Sequence, residues 1–225
     1  GVSLGHSSRD GYTINDVTGN DLDGRSATFG RAQVLWPEVG PWSLRLSATA
    51  ERDRDGGYAL GDLAGLRARP HRVAYDFEGF TERDLAQPVF TAIRRGTNEF
   101  TSITAYQRWA VSEQTDIDLS PMDLLRRATD EDQWALIQDF RLASPTDGAN
   151  NERLALRWLL GLYAFTTAHD QQSSTEYRPD AVTVLGAPLP FTQTETARRR
   201  NSGFSPYGQA TLALDERIDL TAGLR

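Results

Sequence analysis

Side chains of alternating character recur along this chain in stretches of about ten residues, and no other feature restricts its fold so strongly. Over Glu152–Phe165 (ERLALRWLLGLYAF), Leu154, Leu156, Trp158, Leu160 and Leu162 share one face of an extended strand. A period of two returns every second side chain to the same side. Trp42–Glu51 alternates as cleanly, with Trp42, Leu44, Leu46, Ala48 and Ala50 set against Ser43, Arg45, Ser47, Thr49 and Glu51.

The connections between such stretches run long, short, long, short. Strands are predicted over Val2–Tyr12, Ala27–Trp36, Trp42–Glu51, Pro88–Ile93, Glu99–Ala110, Gln133–Ala143, Glu152–Thr166, Ser202–Leu214 and Arg217–Leu224. Short connections fall at Pro37–Pro41, Arg94–Asn98, Ser144–Asn151 and Asp215–Glu216. Long ones are expected over Thr13–Arg25, Arg52–Leu85, Val111–Asp132 and Thr167–Asn201. Within them Val73–Phe80 is read as an extension of the following strand. Met122–Ala128 is read as a helical turn after the cap-like Ser120-Pro121. A sheet whose two ends differ so regularly has the rhythm of a transmembrane β-barrel.

Composition bounds the reading without deciding it. The chain of 225 residues is 39% hydrophobic and 24% charged, with a mean hydropathy of −0.50. No run approaches the ~18–20 apolar residues of a membrane-spanning helix; the longest, Trp158–Phe165, still contains a glycine. A helical membrane protein is therefore excluded, but a barrel is not, since only alternate residues face lipid. Absence of cysteine removes disulfides and thiolate chemistry. A net charge of −7 without a basic stripe argues against a nucleic-acid partner.

Arg45, Glu51, Arg108, Asp139, Arg141, Arg157, Arg217 and Asp219 sit in mid-pattern, so one face is very polar. In Glu99–Ala110 the alternation sets Ile103, Ala105 and Trp109 against Ser102, Thr104, Tyr106 and Arg108. All five tryptophans fall within strands and four are expected near strand ends, as in an interfacial aromatic girdle. A one-sided soluble sheet has the same periodicity and stays open at this point.

The wording of the strands goes further. FTSITAYQRW (100–109) resembles the LTSITAYRDW strand of TonB-dependent outer-membrane receptors. QDFRLASP (138–145) is similar to their QELRLASP segment, departing at Asp139-Phe140. WLLGLYAF (158–165) resembles WLLGLYYF, and YGQAT (207–211) followed by LTAGLR (220–225) is similar to FGQATY…LTLGLR. DFEGFTER (76–83) is similar to one of their loops.

The resemblance implies an all-β fold: an antiparallel up-and-down meander of about nine strands, part of a 22-stranded transmembrane β-barrel closed by a plug domain. It implies TonB-energised uptake of a ferric siderophore or similar scarce nutrient across the outer membrane of a Gram-negative bacterium. The implied partners are TonB (through the plug), the nutrient, and outer-membrane lipid and lipopolysaccharide. The short connections would be periplasmic and the long ones extracellular. With no plug or terminal aromatic strand recognisable, residues 1–225 read as an internal barrel fragment. The competing readings are a passive channel, a structural or adhesive barrel, and a soluble β-sandwich binding module.

Chemical constellations are few. His6, His71 and His169 have no metal-ligand spacing to one another. Asp53-Arg54-Asp55-Gly56 echoes a calcium loop but lacks the third acid and distal glutamate. Seven acids in Val111–Asp132 read as a solvated loop. Arg198, Arg199 and Arg200, placed at the end of the longest predicted loop, are the candidate ligand contacts, since a cationic cluster steers anions. The same cluster would suit lipopolysaccharide phosphates. Arg45, Arg108, Arg141 and Arg157 are expected to point inward and pair with Asp139, Glu51 or the plug. No spacing suggests a catalytic set, a cofactor or a metal site, and the chain is read as a non-enzyme.

Overall fold

In extended segments with one apolar face, hydrogen bonds must be satisfied between strands, and the computed structural model shows how. It describes residues 1–61, 63–145, 155–214 and 218–225. In chain order the elements are β1 (Val2–Arg9), β2 (Thr13–Asn15), β3 (Asp21–Leu22), β4 (Arg25–Val39), β5 (Trp42–Gly56), α1 (Leu63–Ala68), β6 (Arg72–Val73) and β7 (Phe80–Arg94). There follow β8 (Glu99–Asp116), β9 (Leu125–Ala143), β10 (Ala155–Tyr177), α2 (Pro179–Val184), β11 (Phe191–Ala213) and β12 (Asp219–Leu224).

Among the described residues, nine strands make one sheet in the order β1-β4-β5-β7-β8-β9-β10-β11-β12. Every neighbouring pair is antiparallel. The expected all-β meander is therefore present. Strands β2, β3 and β6 form a separate three-stranded sheet, in which β2 pairs antiparallel with β3 and parallel with β6.

The strands are much longer than the alternation indicates. Strand β8 continues to Asp116 and β9 begins at Leu125, so most of the predicted loop Val111–Asp132 is ladder. The predicted loop Thr167–Asn201 contains the end of β10, the six-residue α2 and the first part of β11. Where both faces of a sheet meet water, side chains need not alternate, and the ladder continues without a hydropathy signal. For the same reason Leu125–Ala128 is strand rather than the expected helical turn. Nor does Val73 extend β7, since it belongs to β6. The weakly patterned Pro88–Ile93 is fully part of β7. Pro88, which lacks an N–H, sits where the β7–β8 pairing is interrupted between Ala86↔Arg108 and Val89↔Ala105. Of the turn expected over Ser144–Asn151, residues 146–151 lie outside the described residues, as do the start of the strand at Glu152–Leu154 and Asp215–Glu216 with Arg217.

Register assigns every side chain to a face. Rows such as Trp36–Leu44–Ala92–Ser102–Phe140–Leu162–Pro206 and Val34–Leu46–Phe90–Thr104–Gln138–Ala164–Phe204 make the apolar face. The opposite face carries Arg45, Thr91, Ile103, Asp139, Tyr163 and Ser205 in one row. Two expectations fail here. Arg108 shares the apolar-face row of Ala86, Trp134, Ala168 and Arg200, while Ile103, Ala105 and Trp109 are on the polar face. Strand β8 has mixed character on both sides, so its own sequence cannot orient it. Its neighbours do. Trp36, Trp42, Trp134 and Trp158 lie on the apolar face, but Trp134 and Trp109 are mid-strand rather than near strand ends.

The polar face is held by reciprocal contacts. Tyr207 on β11 lies over Gly161 on β10, where a Cβ would overlap the phenol ring. Its hydroxyl reaches β9 and donates to Asp139 Oδ1 at 2.8 Å, while Arg141 Nε donates to Asp139 Oδ2 at 2.7 Å. Arg157 donates to Asp219 at 2.8 Å. Asp139 is thus paired as the sequence suggests, whereas Arg108 pairs with Asp132 at 2.7 Å on the other face.

Candidate functional site

A network of polar contacts lies where the long connections meet at one end of the sheet. The first connection, between β1 and β4, and the second, between β5 and β7, meet through β2, β3 and β6. Leu22, Val73 and Tyr75 form their buried core, with Ala59 and Leu66 packed against it. At the centre is Asn15, wholly buried. Its Nδ2 donates to the Tyr75 carbonyl at 3.0 Å, and its Oδ1 accepts the Tyr75 N–H at 3.0 Å and the Val17 N–H at 3.2 Å. One amide side chain thus does the work of two ladder bonds between segments sixty residues apart. Glu78 accepts from Asn15, Thr18 and Asn20, and Asp16 receives Arg69 and Arg72. The Arg72 hydrogen bond, with both guanidinium charges beside it, holds the Asp16 carboxyl below the usual carboxylate range.

The third and fourth connections join the same shelf. Asp76 N–H donates to the Ser120 carbonyl at 3.2 Å. Arg126 bridges Asp76 and Asp123 and lies over the Phe77 ring, 4.5 Å from its centroid. Asp123 also accepts from Arg178 at 3.1 Å, and its backbone exchanges two bonds with Asp180. Segments near residues 15, 75, 120 and 180 are consequently one body. Burial sets the acid–base character of its interior: the Tyr75 hydroxyl is pushed up to about 12 and the Asp116 carboxyl to about 7.

Beside this shelf is a recess of about 440 Å³ lined by Tyr12, Tyr58, His71, Arg25 and Asp55. Tyr12 meets His71 edge to face, with centroids 5.2 Å apart. Arg25 has no ion pair among the described residues. Aromatic faces and a free guanidinium suit a ligand with rings and acceptor atoms.

The sequence-predicted residues are dispersed. Arg198, Arg199 and Arg200 lie within β11, seven to nine residues beyond its first residue Phe191, and not in a loop. Alternation splits them. Arg198 and Arg200 are on the apolar face's side and both pair with Asp170, whereas Arg199 is on the polar face opposite His169. Arg198, Arg200, Arg52, Arg54 and Arg108 form with Glu82, Asp84, Asp132 and Asp170 a band of exposed ion pairs beyond the apolar rows. Asp53 and Asp55 pair with Arg83, and not with each other around a shared centre. His6 bonds Thr28, His71 meets Tyr12, and His169 bonds Gln133. The shelf itself escapes sequence reasoning, because Asn15, Asp76 and Asp123 are ordinary loop residues until register brings them together.

No family model matches the chain. Its structure is similar to that of the ferric yersiniabactin uptake receptor FyuA from Yersinia pestis, with a TM-score of 0.75 at 20% identity over 99% of this chain. The nine-stranded fold of this chain is therefore shared with part of that receptor. The chain spans 33% of that receptor's length. The matched protein is a receptor for uptake, and the match takes in nearly all of this chain.

Proposed function

We propose that this chain is wall and outer loops of a TonB-dependent receptor that takes up a ferric siderophore or similar scarce nutrient across the outer membrane. The observation that carries the reading is the two-faced meander, which aligns with a ferric-siderophore uptake receptor over nearly its whole length. In this reading the apolar rows meet lipid. At ~3.3 Å per residue the 23-residue β10 and β11 are about 75 Å long, well beyond a hydrocarbon core of about 30 Å. Their charged upper parts stand above the bilayer. Trp42 and Trp158 mark one edge of the apolar rows and Trp134 the other, as an aromatic girdle does.

The polar face lines the passage and the loop shelf forms part of its mouth. Ligand contact within the arginine triplet then falls to Arg199. Arg198 and Arg200, held by Asp170, face the phosphorylated headgroups of lipopolysaccharide.

Uptake of a panel of radioiron-loaded siderophores, in cells lacking other receptors and expressing the full-length protein, tests the reading. Uptake of one of them that disappears when TonB is deleted is expected. Uptake unaffected by TonB would identify a passive channel, and no transport of any of them would remove the receptor assignment. Arg199→Gln is expected to weaken uptake, with Arg198→Gln and Arg200→Gln leaving it near wild type.

A further inference from the structure

Asp116 closes β8 and is only 4% exposed. Its Oδ1 accepts the N–H groups of Asp118 and Leu119, both at 3.0 Å, and so shapes the third connection. Its Oδ2 is buried with no hydrogen-bond donor among the described residues. An ionised carboxylate in that position would keep its charge with one oxygen unsatisfied, a costly state.

Beyond the two N–H groups on Oδ1, which favour the charged form, the groups facing it do not offset the burial. Asp118 on the same connection and Asp76 on the second are like charges that raise its pKa. The Tyr75 phenol carries no charge to balance it, because burial and the Asp116 carboxylate both hold that hydroxyl protonated. Arg126 is its cross-strand neighbour, but the guanidinium is held through Nη2 by Asp76 and Asp123, and its Nε, though buried without an acceptor among the described residues, makes no hydrogen bond to Asp116. The turn that Asp116 supports is itself strained: Leu119 has φ = +54°, a left-handed conformation unfavourable for a γ-branched side chain. The next residue, Ser120, accepts the Asp76 N–H that ties the second connection to the third.

We infer that Asp116 is a proton-operated latch: neutral, it holds the third connection closed against the second, and its ionisation opens that part of the shelf. The direction in pH follows from linkage. The closed state retains a proton up to about pH 7, whereas a hydrated aspartate gives it up near 3.8. Between these values the closed state binds more protons, so closure weakens as pH rises and levels off above about 7. The opening constant therefore climbs by about tenfold per pH unit within that window. The latch is independent of what the receptor transports.

Hydrogen–deuterium exchange of the full-length protein in mild detergent, read by mass spectrometry and corrected for intrinsic rates, tests it. Protection of the peptide spanning 115–124 is expected to fall about tenfold per pH unit from pH 5 to 7 and then to plateau. A peptide spanning 13–22 should keep its protection across that range. In Asp116→Asn, neutral at every pH, the 115–124 peptide should lose its pH dependence. A flat wild-type profile, a parallel change at 13–22, or an Asp116→Asn profile that follows wild type would each overturn the inference. The wild-type curve decides the matter even if the variant does not fold.

Discussion

Gly161 offers the sharpest test of how the wall is built. A Cβ at this position would occupy the space of the Tyr207 ring, so Gly161→Ala must lift the phenol from β10. The displaced hydroxyl abandons Asp139, which is 7% exposed and accepts it at 2.8 Å. Losing a hydrogen bond to a charged acceptor costs roughly 1.5–3 kcal/mol. Forcing a methyl into a filled site adds about 1–3 kcal/mol. Removing a strand glycine returns about 0.5–1 kcal/mol. The expected net loss is about 3 kcal/mol, summed from these ranges. Denaturant unfolding of the full-length protein in detergent, followed by tryptophan fluorescence, measures it. Tyr207→Phe alone should cost about 2 kcal/mol, the hydrogen-bond share. In a Tyr207→Ala background the glycine has nothing above it, and Gly161→Ala should then be neutral or slightly stabilising. An equal penalty in both backgrounds would refute the stacking account, because the cost would then arise elsewhere than at the ring.

Two further outcomes follow from the register and the shelf. Phe140→Arg places a cation among the apolar rows and should cost about 2–4 kcal/mol of bilayer-embedded stability, whereas Thr101→Arg on the polar face should be tolerated; equal effects in a liposome folding assay would reverse the assignment of faces. Asn15→Ala leaves the buried Tyr75 N–H and carbonyl without partners, worth about 3 kcal/mol, so tryptic cleavage after Arg72 should accelerate about a hundredfold while the sheet stays intact. An unchanged cleavage rate would show that Asn15 does not hold the shelf together.

How much of this was legible beforehand depended on what each residue has on its two sides. Trp42–Glu51 and the Trp158–Phe165 stretch alternate because one side meets apolar surroundings and the other polar ones. Their strands and faces could be read directly. Glu131 to Arg127 and Gln171 to Glu176 are equally extended, yet polar on both sides, so they read as loop. Arg108 was misplaced because Ile103, Ala105 and Tyr106 give β8 no clear apolar side, and only pairing with Trp134 and Ala86 fixes it. The arginine triplet was visible as a charge cluster, but a cluster within a strand is divided between faces by the pleat. The shelf was beyond reach, since the partners Asn15 and Tyr75 are sixty residues apart and neither carries a local signal.

The parallel seam between β2 and β6 has a consequence for how the wall is assembled. It can close only after β1, β4, β5 and β7 have brought both connections to the same edge. A two-residue slip in any of these pairings preserves the faces but shifts a strand end by about 6.7 Å, farther than a hydrogen bond tolerates. Asn15 would then miss Tyr75, and the Asp16 carboxylate would miss Arg69 and Arg72. The shelf thus acts as a proofreading device, reporting at the rim whether four strands below it were laid down in step.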